Sequence, residues 1–242
     1  MAPVDRRPFL LRRVGGGVQS LEDELATARA LPVADLADAI ESIGFECTRC
    51  GACCTGEADD DHTATVFPDE VRDLVESDAH DRTHDDGWRD VARPMPYGLD
   101  ERDGDLRGET FEWALQTDGC GDCVFYEEDG AGTGSCVAHD DRPLICQTYP
   151  FSVALAGTSQ PMGEAVDEEG IVRAHECEGL GRDISRADAE ELARALKERA
   201  IRELEEAIGV RDEYEPADLE ADAVVVHDSE GAKRIDGTPI DE

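Results

Sequence analysis

Apolar residues recur every three or four positions in four segments of the chain, which predicts four amphipathic helices. The predicted spans are about 21–30, 33–43, 68–77 and 186–208. Ser20 and Ser185 have the sequence context of N-terminal caps, and Pro68 sits at a first helical position. Gly44 and Gly209 follow the last apolar residues of the second and fourth segments, where a helix commonly ends.

Between these helices the pattern changes to short alternating runs, which predict strands. The expected strand segments are 63–67, 110–116, 123–126, 136–139, 151–157 and 170–174. The glycine-rich stretch EEDGAGTGS suits a hairpin loop between the third and fourth of them. Residues 77–109 are rich in Asp, Arg, Gly and His and predict a long loop. The expected fold class is therefore α+β, with short strands and flanking helices.

Composition divides the chain into three regions. Residues 1–19 form a flexible basic N-terminal arm with Arg6, Arg7, Arg12 and Arg13, and residues 20–209 form the cysteine-cluster domain with its flanking helices. Residues 210–242 are acidic, with only Val224–Val226 typical of a strand. We expect this C-terminal tail to be poorly packed.

The charge of the chain is extreme, because 59 Asp and Glu against 23 Lys and Arg give a formal net charge of −36. The acidic residues are spread along the whole chain, which indicates a halophilic surface that stays hydrated where high salt screens self-repulsion. The alternative, a disordered acidic protein, conflicts with the periodic helices. Such a surface is not expected to bind nucleic acid or an anionic membrane through bulk electrostatics.

No segment approaches the roughly 20 apolar residues of a membrane helix. The apolar run Phe9–Leu11 is also too short for a signal peptide. We therefore expect a cytoplasmic protein whose thiols are kept reduced. For a chain with nine cysteines, that expectation disfavours disulfides and favours metal or redox chemistry.

Four cysteines fall within the stretch FECTRCGACCT, and the other five follow downstream. The nine are Cys47, Cys50, Cys53, Cys54, Cys120, Cys123, Cys136, Cys146 and Cys177. A C-x2-C turn brings two thiolates close together, which suits a tetrahedral zinc or an iron of an iron–sulfur cluster. Thiolates select these metals over magnesium or calcium. The spacing is compatible with either metal and with one site or two. With a metal bound, the expected α+β fold is a small metal-stapled cysteine-cluster domain.

Four separated blocks carry a family resemblance: FECTRCGACC, CVFY, SCVAHDDRPLICQTYPF and CEGLG. In this order they resemble the YkgJ-type cysteine-cluster family, described as a zinc- or iron-chelating domain and named for its C-x2-C-x2-C-C motif. The resemblance covers about Phe45 to Gly181 and implies metal chelation, and some relatives are linked to lysine N-methylation of flagellin. The metal ligands that it implies are Cys47, Cys50, Cys53, Cys54, Cys123, Cys136, Cys146 and Cys177. Cys120 has no counterpart in the pattern.

Arg142 is a candidate cofactor-binding residue within the third block. Pro143 biases its backbone toward an extended form, and a guanidinium beside the thiolates could donate charge-assisted hydrogen bonds and offset negative charge. The alternative is a surface salt bridge with Asp140 or Asp141. Tyr149–Pro150 is expected to turn the chain and pack, with a cis bond as the less frequent geometry.

The histidines are expected to be secondary. His139 and His175 lie near cysteines in the sequence and could each replace a thiolate, but solvent-facing or supporting positions are favoured. His62, His80 and His84 lie in or near acidic loops and are assigned no role.

Three functions remain open. The first is a metal-binding protein that holds zinc or an iron–sulfur cluster. The second is an iron–sulfur-dependent enzyme or electron-transfer component, which could act in protein lysine methylation. The third is an interaction module in which the last helix or the acidic tail binds a basic protein partner. Gly15–Gly17 lacks the features of a phosphate loop, and neither hydrolase nor metalloprotease motifs occur.

Overall fold

The computed structural model describes residues 19–56, 61–77, 87–102, 105–159, 165–167, 170–216 and 224–240. Within these ranges the helices are α1 (Leu21–Ala30), α2 (Val33–Ile43), α3 (Pro68–Glu76), α4 (Trp88–Val91), α5 (Leu144–Thr148) and α6 (Arg186–Glu213). The strands are β1 (Thr65–Val66), β2 (Ala92–Pro94), β3 (Leu99–Arg102), β4 (Asp105–Thr110), β5 (Trp113–Leu115), β6 (Tyr126–Glu128), β7 (Gly134–Cys136), β8 (Phe151–Val153), β9 (Ala165–Asp167), β10 (Val172–His175), β11 (Val224–Asp228) and β12 (Gly231–Lys233). The expected α+β class is confirmed.

The four predicted helices are present, and serine caps explain where α1 and α6 begin. Ser20 Oγ accepts the N–H of Asp23 over 3.2 Å, and the Asp23 carboxylate accepts the N–H of Ser20 over 3.3 Å, which completes a capping box. Ser185 Oγ accepts the N–H of Asp188 over 3.2 Å at the start of α6. These local hydrogen bonds satisfy N–H groups that the first turn leaves without a helical partner.

The first hydrophobic core lies between helices α1, α2 and α6 and the antiparallel sheet β8-β10-β9. Phe151 and Val172 contribute from the sheet, which confirms the predicted pairing of FSVALAG with GIVRA. Arg199 of α6 is buried in this core, where its guanidinium donates to Glu203 Oε1 over 2.8 Å and to Thr148 Oγ1 over 3.0 Å. Since Thr148 belongs to α5, this buried cation links the helical core to the helix that carries Cys146.

The second core lies under the cysteine region. Its buried residues include Val71 of α3, Trp113 of β5 and Phe125, and the sheet β1-β5-β2 forms one side of it. The predicted hairpin is present as β6-β7, but the predicted strands 123–126 and 136–139 are wrong in position, because they share only Tyr126 and Cys136 with the observed strands. Predicted strand 63–67 is reduced to the two residues of β1. Predicted strand 110–116 is divided between the end of β4 and β5, with Phe111 and Glu112 between them.

The C-terminal segment 224–240 is packed, so the expectation of a poorly packed tail is wrong there. β11 pairs in parallel with β4 and antiparallel with β12, and Val225 and Val226 are fully buried. Buried Asp228 accepts the indole N–H of Trp113 over 2.9 Å and the ammonium of Lys233 over 2.7 Å. This packing depends on β4, a partner strand from the middle of the chain, which the local sequence around β11 does not predict.

Helix α6 continues past Gly209 to Glu213, so the predicted stop at Gly209 is also wrong. A Cβ on Gly209 would lie 2.5 Å from the Cβ of Ser229, at the turn between β11 and β12. The glycine therefore allows the C-terminal hairpin to approach the helix, which offsets its cost of about 1 kcal/mol within a helix.

Part of the predicted long loop 77–109 is ordered into α4, β2, β3 and most of β4, which corrects that prediction for residues 87–102 and 105–109. The basic arm 1–18, His80 and His84 lie outside the described residues. Among the helices described, none combines the length and apolarity needed to cross a bilayer. The Tyr149–Pro150 peptide bond is cis.

Candidate metal centre

The cysteine loop begins where α2 ends, and a close backbone approach fixes its direction. Gly44 has a φ of +79°, and its Cβ, if present, would lie 2.4 Å from the carbonyl oxygen of Arg182. Phe45 then forms an antiparallel bridge with Leu180, and the N–H of Glu46 donates to the carbonyl of Gly179 over 3.0 Å. This pairing brings the start of the cysteine loop alongside the segment that follows Cys177.

A tight turn places the adjacent cysteines Cys53 and Cys54. The N–H of Cys54 donates to the Gly51 carbonyl over 2.7 Å, and the two Sγ atoms lie 3.7 Å apart. The carbonyl of Cys54 in turn accepts the N–H of Cys123 over 2.8 Å. The turn therefore holds two sulfurs of the motif against the segment that carries a third.

The remaining three cysteines of this region come from three different elements. Cys123 is buried in the second core, Cys136 ends strand β7 and lies opposite Tyr126 of β6, and Cys146 lies on α5. Cys54, Cys136 and Cys146 pack against the same apolar residues that surround Cys123. The second core thus collects sulfurs from separate parts of the sequence.

The thiols perturb one another electrostatically. The hydrogen bond with Cys54, aided by the charge of Arg142, lowers the pKa of Cys53 to about 7. Burial raises the pKa of Cys123 to about 11, and Cys136 and Cys53 add to the increase. At neutral pH the Cys53 thiol is therefore more readily ionised than the Cys123 thiol.

Burial and neighbouring thiols also perturb the pKa values of Cys146 and Cys177. Burial raises the pKa of Cys146 well above its usual value, and Cys123, Cys53 and Cys136 raise it further. Burial also raises the pKa of Cys177, followed by the charges of Cys50, Cys53 and Cys47. Two groups of thiols follow from these couplings. The inner group is Cys53, Cys54, Cys123, Cys136 and Cys146, and the outer group is Cys47, Cys50, Cys53 and Cys177.

Cys53 belongs to both groups, yet the sulfurs are not gathered at one point. Among the residues that the structure describes, no three Cys, His, Asp or Glu side chains lie close enough together to hold a metal ion. The donor chemistry nevertheless fits zinc or iron, because both prefer thiolates. The raised pKa values of Cys123, Cys146 and Cys177 reflect repulsion and burial that a cation among the sulfurs would relieve.

Comparison with known proteins agrees with this arrangement. The sequence model of the CxxCxxCC family, whose description is "Putative zinc- or iron-chelating domain", matches residues 46–178. The chain belongs to the CxxCxxCC family. The matched region is more than half of the chain and contains both thiol groups. The resemblance inferred from the sequence is thereby confirmed, and with it a family description of zinc or iron chelation. No curated protein and no solved structure matches the chain.

In this CxxCxxCC protein, Arg142 lies between the 3₁₀ turn His139–Asp141 and α5. Its Nε donates to the carbonyl of His139 over 3.0 Å. Its positive charge lowers the pKa of both Cys53 and Cys136, although burial dominates at Cys136 and raises the pKa there. Among the described residues it forms no salt bridge with Asp140 or Asp141, the alternative that the sequence leaves open.

Three candidate residues fall outside the thiol groups. Cys120 is exposed, and its N–H donates to Asp118 Oδ1 over 2.7 Å in a surface turn. His139 is also exposed, and its Nδ1 lies 3.3 Å from Asp140 Oδ1. His175 is buried in the first core, with Nε2 3.0 Å from Ser152 Oγ. None of these contacts involves a thiol.

His62 is the residue that sequence reasoning missed. It is 7 % exposed, its Nε2 lies 3.1 Å from the carbonyl oxygen of Cys53, and its N–H donates to the carbonyl of Gly121 over 2.8 Å. The acidic residues before it, EADDDH, are typical of a solvated loop and conceal this burial. A lone histidine in such a segment gives no local signal of its contact with the cysteine turn.

Proposed function

We propose that this CxxCxxCC protein binds zinc or iron through the thiolates of the inner and outer groups, and that the bound metal ties together the segments that carry them. The observation that carries the proposal is the convergence of cysteines from separate segments on the second core. Cys54, Cys123, Cys136 and Cys146 all pack there, and Cys53 Sγ lies 3.7 Å from Cys54 Sγ.

The residues that would hold the metal are the eight cysteines of the two groups. They are Cys47, Cys50, Cys53, Cys54, Cys123, Cys136, Cys146 and Cys177. Eight thiolates are sufficient for two four-coordinate ions or for one centre with additional thiols. Arg142 would offset part of the excess negative charge, because its guanidinium already favours the ionised form of Cys53.

A stapling role for the metal is supported by the local architecture. The strands that surround the thiols, β1, β5, β6 and β7, contain only two or three residues each. Such short pairings supply few backbone hydrogen bonds, so thiolate–metal bonds would contribute much of the folding free energy of this region. When bound, zinc would supply structural cross-linking, whereas an iron–sulfur cluster would also supply electron transfer.

The experiment is elemental analysis and visible absorption of the full chain purified without oxygen in concentrated salt. Concentrated salt is chosen because we infer a halophilic surface from the net charge of −36. Stoichiometric zinc or iron supports the proposal, and its removal by a chelator should lower the midpoint of thermal unfolding. A protein free of metal, or one that melts at the same temperature after chelation, contradicts it.

The same sample distinguishes an iron–sulfur cluster from zinc. The C-x2-C-x2-C spacing of Cys47, Cys50 and Cys53 favours it, because this run begins ferredoxin-type motifs. A brown protein with stoichiometric iron and sulfide, bleached by dithionite, would assign a cluster. A colourless protein with stoichiometric zinc would exclude it. An enzymatic role, including lysine methylation, remains a prediction.

A further inference from the structure

Two hydrogen bonds join His62 to the segments that carry the inner group. Its own N–H donates to the Gly121 carbonyl over 2.8 Å, and two residues later the N–H of Cys123 donates to the Cys54 carbonyl over 2.8 Å. The Nε2 atom of the His62 ring lies 3.1 Å from the carbonyl oxygen of Cys53, the residue before Cys54. The imidazole is therefore held between the adjacent-cysteine turn and the Cys123 segment.

The contact with Cys53 determines which ring nitrogen carries the proton. A carbonyl oxygen can only accept a hydrogen bond, so Nε2 must be the protonated nitrogen and Nδ1 must carry a lone pair. Nδ1 is buried and has no hydrogen-bond partner. A buried acceptor without a partner is costly and calls for an explanation.

A neutral imidazole with one N–H on a backbone carbonyl and the other nitrogen bare is the form in which histidine binds metals. The N–H contact fixes the tautomer and the ring orientation, and the bare nitrogen is the donor. Because Nδ1 has no acceptor within reach among the described residues, a second proton on the ring would leave a buried cation without a partner at that nitrogen, so the neutral ring is favoured. Arg93 also donates to the His62 carbonyl over 2.7 Å, which fixes the backbone at this position.

We propose that Nδ1 of His62 is a nitrogen ligand of the metal centre, which adds a donor outside the cysteine motif. This inference rests on the proposed function, because it requires an ion among the inner thiols. It gives that centre mixed sulfur and nitrogen coordination. One neutral donor in place of a thiolate also reduces the negative charge that a buried site must accommodate.

The test uses the full chain, reduced, oxygen-free and labelled with ¹⁵N at its six histidines, titrated with zinc to saturation. The expected result is that one bare-nitrogen Nδ1 signal leaves its position on saturation, and that contacts of its ring protons with the Cys53–Cys54 backbone assign it to His62. If zinc binds and the His62 Nδ1 signal does not move, the inference is wrong while the proposed function stands. That outcome is also expected if a water bridges Nδ1. If no zinc binds, both fail.

Paired variants separate a ligand from a positioning residue. His62→Gln keeps an N–H that can donate to the Cys53 carbonyl but lacks the ring nitrogen, and we expect its zinc affinity to fall at least about tenfold. His227→Gln is the matched control, because His227 is also buried with an unpartnered Nδ1 but hydrogen-bonds Glu109 instead of a cysteine. Unchanged affinity in His62→Gln would overturn the inference. If that variant does not fold, the wild-type titration decides alone.

Discussion

The N–H of Cys123 donates to the carbonyl oxygen of Cys54 over 2.8 Å, which joins two cysteine segments that are distant in the sequence. This hydrogen bond sets the position of a buried thiol relative to the adjacent-cysteine turn before any metal is considered. Since backbone bonds do not depend on the protonation of sulfur, part of the inner group is organised by the fold itself. The predictions below test which side chains add to that organisation.

Replacement of Cys123 by serine should lower zinc affinity at least about tenfold, because a ligand of the inner group is lost. Competition with a chromophoric chelator measures the affinity. Cys120→Ser is the matched control. Cys120 lies only three positions away, but it is exposed and its backbone N–H donates to Asp118. Equal losses in the two variants would contradict the assignment of Cys120 to the surface and Cys123 to the site.

Gly44→Ala should destabilise the protein by about 2–4 kcal/mol, because it combines a strained positive φ with a clash against the Arg182 backbone. Chemical denaturation measures the free energy of unfolding. Gly132→Ala is the control, since Gly132 also has a positive φ, +82°, but no atom lies within 4 Å of the added Cβ. We expect it to cost about 1 kcal/mol, from the conformation alone. Equal costs would mean that the Gly44 backbone does not closely approach the Arg182 carbonyl.

Arg142→Gln should weaken metal binding about three- to tenfold at moderate salt, because the charge that favours the Cys53 thiolate is removed. Arg142→Lys should retain most of the affinity, since it keeps the charge. The loss in the glutamine variant should shrink as salt rises, because a partly exposed charge is screened. A salt-independent loss, or an equal loss in both variants, would indicate a geometric role instead.

Glu230 provides a pH-dependent prediction. Hydrogen bonds from Arg72 and then Lys233 lower its pKa from 4.5 to about 2. A depressed carboxyl pKa contributes stability above the unfolded value of 4.5, and this contribution is lost as pH falls toward 2. The Glu230 side chain is 43 % exposed, so we expect Glu230→Gln to lower stability by less than about 1 kcal/mol at pH 7.

The difference between wild type and Glu230→Gln should disappear between pH 4.5 and 2, as measured by urea unfolding across that range. Glu191→Gln, an exposed substitution on α6, controls for the general loss of one negative charge. A difference that persists at pH 2 would show that the carboxylate charge is not its source.

Asp228→Ala should cost about 3–5 kcal/mol, because it removes the buried partner of Lys233 and leaves its ammonium with only Glu230, whose side chain is 43 % exposed. It also removes the acceptor of the Trp113 indole N–H. Lys233→Met has a similar volume and keeps the hydrogen bond from Trp113 to Asp228, so the excess cost of Asp228→Ala over Lys233→Met would measure the loss of that hydrogen bond. Equal, small costs would mean that the C-terminal hairpin contributes little to the second core.

Sequence reasoning predicted the elements whose signals are local. The capping residues Ser20 and Ser185 and the apolar stripes located α1, α2, α3 and α6, and the turn glycines located the β6-β7 hairpin. The cysteine blocks identified the family. These features depend on residues a few positions apart, so a single chain is sufficient to recognise them.

The remaining features depend on distant partners. The parallel pairing of β11 with β4 joins residues 224–226 to residues 108–110, and no local pattern specifies it. The burial of His62 depends on contacts with Cys53 and Gly121, whereas the acidic residues before it in the sequence predict a solvated loop. Gly209 could be taken as a helix stop because its packing role involves Ser229, which follows in the next element.

The burial of Lys233 makes its amine a built-in reporter. This side chain is 4 % exposed, and its Nζ lies 5.5 Å from the centre of the Trp88 ring. An acylating reagent therefore cannot modify its amine until the C-terminal hairpin detaches. The acylation rate of this single group, followed by mass spectrometry, would measure how often that hairpin opens in the folded protein.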